Sequence, residues 1–481
     1  LVFVQIYRKE EVMRTWKTIA LGFALYTQSF AYAGNEHEHL QYLPSYADIQ
    51  QASHGQLGRI PAQYIFGQNP MVLQEIFGEK TLTQILSGKT YPNLKAGLQD
   101  LIQQSSFEEL CQKIALARAS SSQRMTAGQL MRFFFDDTGD FGFSKLDRYQ
   151  ISGVARTELF NKDPNLLVRA VENHLKVAPR SSTLKTIFSV PGQLAEENTL
   201  KKIQSLYASR GAQAQFFISI PRKSFTEKKP LSNVKRTRLE EGLKNRWIQG
   251  VDFSGSLLEG VYEKGFDPEL ASSYKKNIKE IFNLVRSSGS SARIHAFEEV
   301  NRGTFYSSLW EAIESCRAEG CLPAQMRIGH IQALKDADIE RLSTIKNSKI
   351  IFEANIESNL RIQKDAELEK LARTIEKIHA KNMRVVIGAD GLGILGDSAN
   401  FENTLIKLKS ANLSEKSLER LMRDAHLSIS GSRISKTQLL EWQRERAEIR
   451  KRVLGLDVKP LYRGPCRIDQ ALWRLVGGAQ K

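Results

Sequence analysis

Four of the chain's eight histidines and two of its carboxylates stand at or just past the ends of candidate strands, where a fold can gather them. His37 and His39 flank Glu38, His295 precedes Glu298 by three residues, His330 closes the run from Met326, and Asp390 follows the run Arg384 to Ala389. Side chains alternate along a strand, so two histidines one residue apart point to the same side and can ligate one ion. His295 and Asp390, from two further runs, can complete the set. Three imidazoles and a carboxylate around a divalent metal leave room for a water, and the ion makes hydroxide available near neutral pH. Glu298 lies past its strand end, the place for a general acid/base that reaches substrate rather than metal. His330 is placed to hold or deprotonate the attacking water. Each residue taken singly reads as an ordinary polar residue; the joint placement carries the expectation.

The elements that must position them alternate. Strands are expected over Thr186 to Val190, Gln215 to Ile220, Gly250 to Gly255, Arg293 to Ala296, Met326 to His330, Lys349 to Ala354 and Arg384 to Ala389. Helical spacing separates them, over Leu194 to Ser209, Arg238 to Trp247, Tyr274 to Val285, Phe305 to Arg317 and Glu367 to Ala380. Strands alternating with helices imply parallel βαβ units. The segment ending at Glu36-His37-Glu38-His39 can supply an eighth strand. The expected fold is therefore an α/β (β/α)8 TIM barrel, in which function sits at the carboxyl ends of the strands. The alternative is an open doubly wound sheet, against which stands the lack of a glycine-rich phosphate loop after a first strand. Residues 45–180 lack the alternation and read as a helical insertion after the first strand, with Leu82 to Leu86, Leu94 to Gln103, Phe107 to Ala117 and Ala127 to Phe135 as helices. Residues 402–453 read as extra C-terminal helices. The charged stretch Leu439 to Val453 reads as a solvent-facing helix, and residues 456–481 as a tail.

Residues 13–33 read as an export signal, with Met13 as the start and residues 1–12 as upstream sequence. Arg14 and Lys17 precede an apolar run from Thr18 to Tyr26, and Ala31-Tyr32-Ala33 supplies a small-x-small cleavage pattern. The run is too short for a membrane span. The mature barrel is then expected over residues 34–455, secreted or periplasmic, with no membrane contact after cleavage. The net charge of +16 is scattered, and its densest run, Arg222 to Arg246, has acidic residues mixed in and little aromatic interleaving. A solvated surface is expected and a nucleic-acid partner is not. None of Cys111, Cys316, Cys321 and Cys466 forms a CxxC pair, which argues against a cysteine zinc site. Cys316 and Cys321 can form a short-loop disulfide or remain buried thiols.

These residues resemble the adenosine deaminase family, and more closely its secreted growth-factor branch. The counterparts are His37-Glu38-His39-Leu40, His295-Ala296-Phe297-Glu298, Arg327-Ile328-Gly329-His330, Glu357-Ser358-Asn359-Leu360 and Ala389-Asp390-Gly391-Leu392-Gly393. The resemblance implies one Zn2+ held by His37, His39, His295 and Asp390. It implies that Glu298 protonates a purine ring nitrogen, that His330 orients the hydroxide, and that Gly255 holds the base through its backbone N–H. The substrate implied is adenosine or a related purine nucleoside, losing ammonia by hydrolysis, and the resemblance also implies a homodimer. Three departures bear on the pocket. Gly391 stands where the family has a second aspartate on the substrate, and Phe297 and Ile331 replace glycines, which is expected to crowd the substrate. They favour two further readings: an amidohydrolase with another amine or amide substrate, and an inactive nucleoside-binding protein of the same fold.

Overall fold

The computed structural model describes residues 38–39, 62–66, 70–119, 126–127, 129–130, 160, 163–177, 185–192, 194–210, 212–226, 231–254, 268–297, 303–362, 367–390, 401–427 and 447–455. The expected signal at residues 13–33 and the tail at 456–481 lie outside these residues. One sheet of eight strands organises the chain, in the order of the sequence and with every neighbouring pair parallel. The strands are β1 (Glu38–His39), β2 (Lys185–Pro191), β3 (Gln213–Pro221), β4 (Gly250–Ser254), β5 (Ser291–His295), β6 (Gln325–Gly329), β7 (Lys349–Ala354) and β8 (Arg384–Ile387). From β2 onward, a helix follows each strand. Pro268–Ser287 lies between β4 and β5, Gly303–Glu319 between β5 and β6, and Leu368–Ala380 before β8. No pairing joins β8 to β1 among the described residues, so the described sheet is open.

The sheet is nonetheless curled. Strands lie about 4.8 Å apart, so β2 and β5 would stand roughly 14 Å apart if the sheet were flat. Arg293 on β5 spans that separation from inside. Its Nη2 donates to the Ile187 carbonyl of β2 at 3.1 Å, its guanidinium lies 5.1 Å from the Phe217 ring of β3, and its Nε pairs with Glu353 of β7 at 2.8 Å. One side chain reaches strands on both sides only across a concave face. The opposite face carries the apolar residues of alternate parity, among them Phe253, Ile294, Ile328 and Phe352, which pack under the helices in the main core.

The concave interior holds charge where barrels usually hold branched aliphatic layers. Asp252, Arg293, Arg327 and Glu353 are all fully buried. Arg327 Nε donates to Glu353 Oε1, and Arg293 Nη1 lies 3.5 Å from Asp252. Two guanidiniums and two carboxylates balance. Pairing offsets a desolvation cost that would otherwise amount to several kcal/mol per ion.

The helical segment between β1 and β2 has a core of its own. Phe66, Leu73, Leu98, Phe107 and Ile114 are among its members. Leu94–Gln104 starts at Asn93, whose side chain accepts from Ala96 N. Phe107–Ala117 starts at a capping box of Ser106 and Glu109. The helix Pro164–Val177, with Leu166, Leu167 and Val171 buried, escaped the sequence reading. The expected helix Ala127 to Phe135 lies almost wholly outside the described residues. The end of Leu439 to Val453 corrects the solvent-facing expectation. Ile449, Val453 and Leu454 bury into the main core, while Arg452 pairs with Glu402 at the rim. Cys316, in the helix Gly303–Glu319, and Cys321, in the turn before β6, form a disulfide, their Cα atoms 4.5 Å apart.

At the amino end of β8, His379 is buried with Nδ1 2.9 Å from Ser417 Oγ. Burial and, next, the Arg420 charge push its pKa from 6.5 down to about 3. Between those values the unfolded chain binds a proton that the folded chain does not, so stability falls as pH drops from 6.5 towards 3. Urea titrations across that range should give a shallower acid loss for His379→Gln than for the wild type; equal slopes would remove this assignment. Glu353→Ala, which leaves two buried guanidiniums without their shared partner, should cost about 3–5 kcal/mol by chemical denaturation. Asp336→Ala, which breaks the exposed pair with Lys377, should cost less than about 1 kcal/mol.

Candidate metal centre

Alternation carries the buried charges upward to the site. Asp252 faces inward on β4, Arg293 on β5 and Glu353 on β7; two residues beyond Arg293 and Glu353 stand His295 and Asn355. His295 ends β5 and is buried. Its Nδ1 lies 2.9 Å from Asp252 Oδ1 and 3.3 Å from the Phe253 carbonyl oxygen. Both neighbours are acceptors, so Nδ1 carries the proton and Nε2 carries the lone pair. A carboxylate behind an imidazole in this way fixes the ring and raises its basicity as a ligand.

His330 follows β6 and Asp390 follows β8, both buried. Both have left-handed backbone, with φ of 61° and 65°. The other non-glycine residues with positive φ, Arg246, Asn382 and Asn412, follow helix ends, where such a residue is ordinary. At a strand end it costs about 1–3 kcal/mol and marks a site held by its surroundings. The stretch after β7 does the holding. Asn359 Oδ1 accepts from His330 Nδ1 at 2.8 Å, Ser358 Oγ donates to Asp390 Oδ2 at 2.6 Å, and Asn355 Nδ2 lies 3.4 Å from His330 Nε2.

His295, His330 and Asp390 thereby form one buried group whose potential ligand atoms all lie within 4.8 Å of one another. The two histidine rings are 5.0 Å apart, and His330 Nε2 is 3.8 Å from Asp390 Oδ2. Two imidazoles and a carboxylate with this spacing can hold a metal ion, and the donor chemistry suits a divalent one. Among the residues expected from sequence, the structure brings these three together. It gives His39 a place in β1, opposite Ser189 of β2. His37, Gly255, Glu298 and Gly391 lie outside the described residues. Phe297 and Ile331 correct an expectation: neither crowds the concave face. Phe297 is buried edge-on against Tyr306 of the following helix, ring centres 5.6 Å apart, and Ile331 is fully buried in the main core.

Asp252 and Asn355 went unnoticed as site residues, although a signal was present. Asp252, Arg293, Arg327 and Glu353 each interrupt an apolar stretch on β4 to β7, and Arg293 and Glu353 share the parity of His295 and Asn355 beyond them. No family model matches this chain, and no curated protein is significantly similar to it.

Asp252→Asn should weaken the affinity for a divalent metal ion, probed with zinc, about 10- to 100-fold, as loss of a partner behind a ligand does. Titration of the purified chain with zinc against a competing chelator reads this, and an unchanged constant would sever Asp252 from the centre.

Proposed function

We propose that this chain is a zinc-dependent hydrolase of the adenosine deaminase type, built on a (β/α)8 barrel closed by β1 against β8. The observation that carries the reading is the buried His295–His330–Asp390 group at the carboxyl ends of three strands, with Asp252 set behind His295. Carboxyl strand ends are where barrel enzymes keep their chemistry. In this reading His295 and Asp390, joined by His37 and His39, hold one Zn2+. When bound, the ion supplies Lewis acidity that makes water a nucleophile near neutral pH.

The chain's own residues do the rest. His330, fixed as the Nδ1–H tautomer by Asn359, keeps its Nε2 towards the centre and orients the attacking water through a lone pair that it shares with the long 3.4 Å contact from Asn355 Nδ2. Glu298 donates a proton to the purine ring nitrogen as the water oxygen bonds to the amino-bearing carbon. The amino group then leaves as ammonia, taking up one of the two protons released from the water, and the other returns to Glu298. Gly255 N–H holds the base. The burial of Phe297 and Ile331 in the main core removes one argument for a different substrate. Gly391 keeps a second reading in play, an amine or amide substrate other than adenosine, because glycine has no side chain for the ring contact. The buried Cys316–Cys321 disulfide supports an oxidising compartment, as an exported protein would meet. Among the described residues, no helix is long and apolar enough to cross a membrane. A homodimer is part of the proposal by resemblance alone.

The test joins metal analysis to an ultraviolet assay on adenosine and 2′-deoxyadenosine. The wild type should hold one zinc per chain and release ammonia. Glu298→Ala should keep the metal and lose about 10²- to 10⁴-fold in kcat, whereas Asp390→Ala should lose metal and activity together. Fully metallated wild type that left both nucleosides unchanged would sink the deaminase reading.

A further inference from the structure

Asn355 sits immediately after β7 and shares the inward parity of Glu353. It is fully buried. Its Nδ2 lies 3.4 Å from His330 Nε2, the nitrogen of that ring nearest Asp390. The other end of the same carboxamide, Oδ1, accepts no hydrogen bond from any described residue. A buried acceptor left in this state is destabilising, and native proteins carry it where a ligand or water meets the group. The amide is therefore engaged at one end and available at the other, beside the group that can hold a metal ion. Neither the zinc-ligand set nor the acid/base residues of the proposed reaction include it.

We infer that Asn355 is a ligand-facing residue of this centre, its Nδ2 seated on His330 and its Oδ1 accepting an N–H from the nitrogen that a ligand carries to the metal ion. The ligand class is an N–H-bearing amine, amidine or amide, and bare carboxylates and tertiary amides are disfavoured. The inference rests on the proposed metal-centre reading but not on adenosine being the substrate. On that reading, Asn355 supplies the discrimination between a primary amino group and its fully alkylated counterpart. A site that places a buried acceptor for one N–H rejects the analogue that lacks it, because the acceptor stays desolvated and unmet.

The experiment uses the full chain loaded with cobalt(II), whose visible spectrum reports ligand binding without turnover. Acetohydroxamic acid and N-methylacetohydroxamic acid are the probes, both metal-directed and differing in the N–H. The wild type should bind the N–H form more tightly, by about 3- to 10-fold, the value of one neutral hydrogen bond. Asn355→Ala should take up the same cobalt and erase the preference. Asn355→Asp keeps an acceptor oxygen and should retain it, which separates lost recognition from lost packing. An equal preference in wild type and Asn355→Ala, or none in the wild type, overturns the inference. So does loss of cobalt from both variants with the fold intact, which would make Asn355 a support of the metal set only. Adenosine is assayed in parallel: wild type inert towards it but selective between the hydroxamates loses the deaminase reading and keeps this inference. Wild type that takes up no cobalt loses both.

Discussion

Four charges locked inside a curled sheet set the terms for the rest of this molecule. Asp252, Arg293, Arg327 and Glu353 have no exposure to solvent, so each depends on the others for the stabilisation that water would have given. Arg293 is the hub, touching β2, β3, β4 and β7 from its own place on β5. A guanidinium suits this position because its planar fork serves several acceptors at once. Well-packed aliphatic side chains of similar volume would often be as stable or more so. The retention of charge here is therefore better explained by what stands above it. Asp252 sends one contact down to Arg293 and one up to His295. The floor and the candidate metal group are thus one polar structure, and the ring of His295 is held from below.

A second constraint acts at the rim. His330 and Asp390 take backbone conformations that L-residues disfavour, at the points where their strands end. Without the left-handed turn the chain would carry each residue straight on past the mouth of the sheet. The turn brings both side chains inward over His295. Ser358 and Asn359 then bond Asp390 and His330 directly, so side-chain hydrogen bonds help to hold the strain. Glu357, in the same stretch, is anchored outward by Lys407, which ties this short segment to the helix Phe401–Ser410.

Much of this was legible in the sequence, and the parts that were not share a cause. The strands from β2 to β8 fall within two or three residues of their expected limits, because short apolar runs bounded by polar turns survive any tertiary context. Helix limits drifted further. Asn233–Lys244 begins five residues before the expected Arg238 because its Ser232 cap, which accepts from Lys235 N, outweighs a weak apolar stripe. His295, His330 and Asp390 were readable as strand-end groups. Asp252 was not, since a carboxylate inside an apolar run reads as an interruption until the parity of its neighbours is compared. The placement of Phe297 and Ile331 was misread for a related reason. Once the chain leaves the strand, alternation no longer says which side a residue faces, and both are buried in the main core. The disulfide was left open because spacing alone permits it without requiring it.

Each member of the candidate group is oriented by a different strand or by the stretch that follows one. Asp252 of β4 holds His295 of β5, Asn359 beyond β7 holds His330 beyond β6, and Ser358 beyond β7 holds Asp390 beyond β8. Ligand groups must be held to within about half an ångström for a metal or reaction centre to work, and neighbours joined by a parallel ladder are the stiffest reference available for that purpose. The arrangement also distributes control unevenly. His295 answers to the floor, whereas His330 and Asp390 answer to one five-residue stretch, Asn355 to Asn359. Changes within that stretch reach two members of the group together, so their effects are expected to be coupled rather than additive. Changes to the floor act on His295 first and reach the rim only through the sheet. If the group does hold a metal ion, the segment after β7 is where its coordination can be tuned without disturbing the buried charges on which the fold rests.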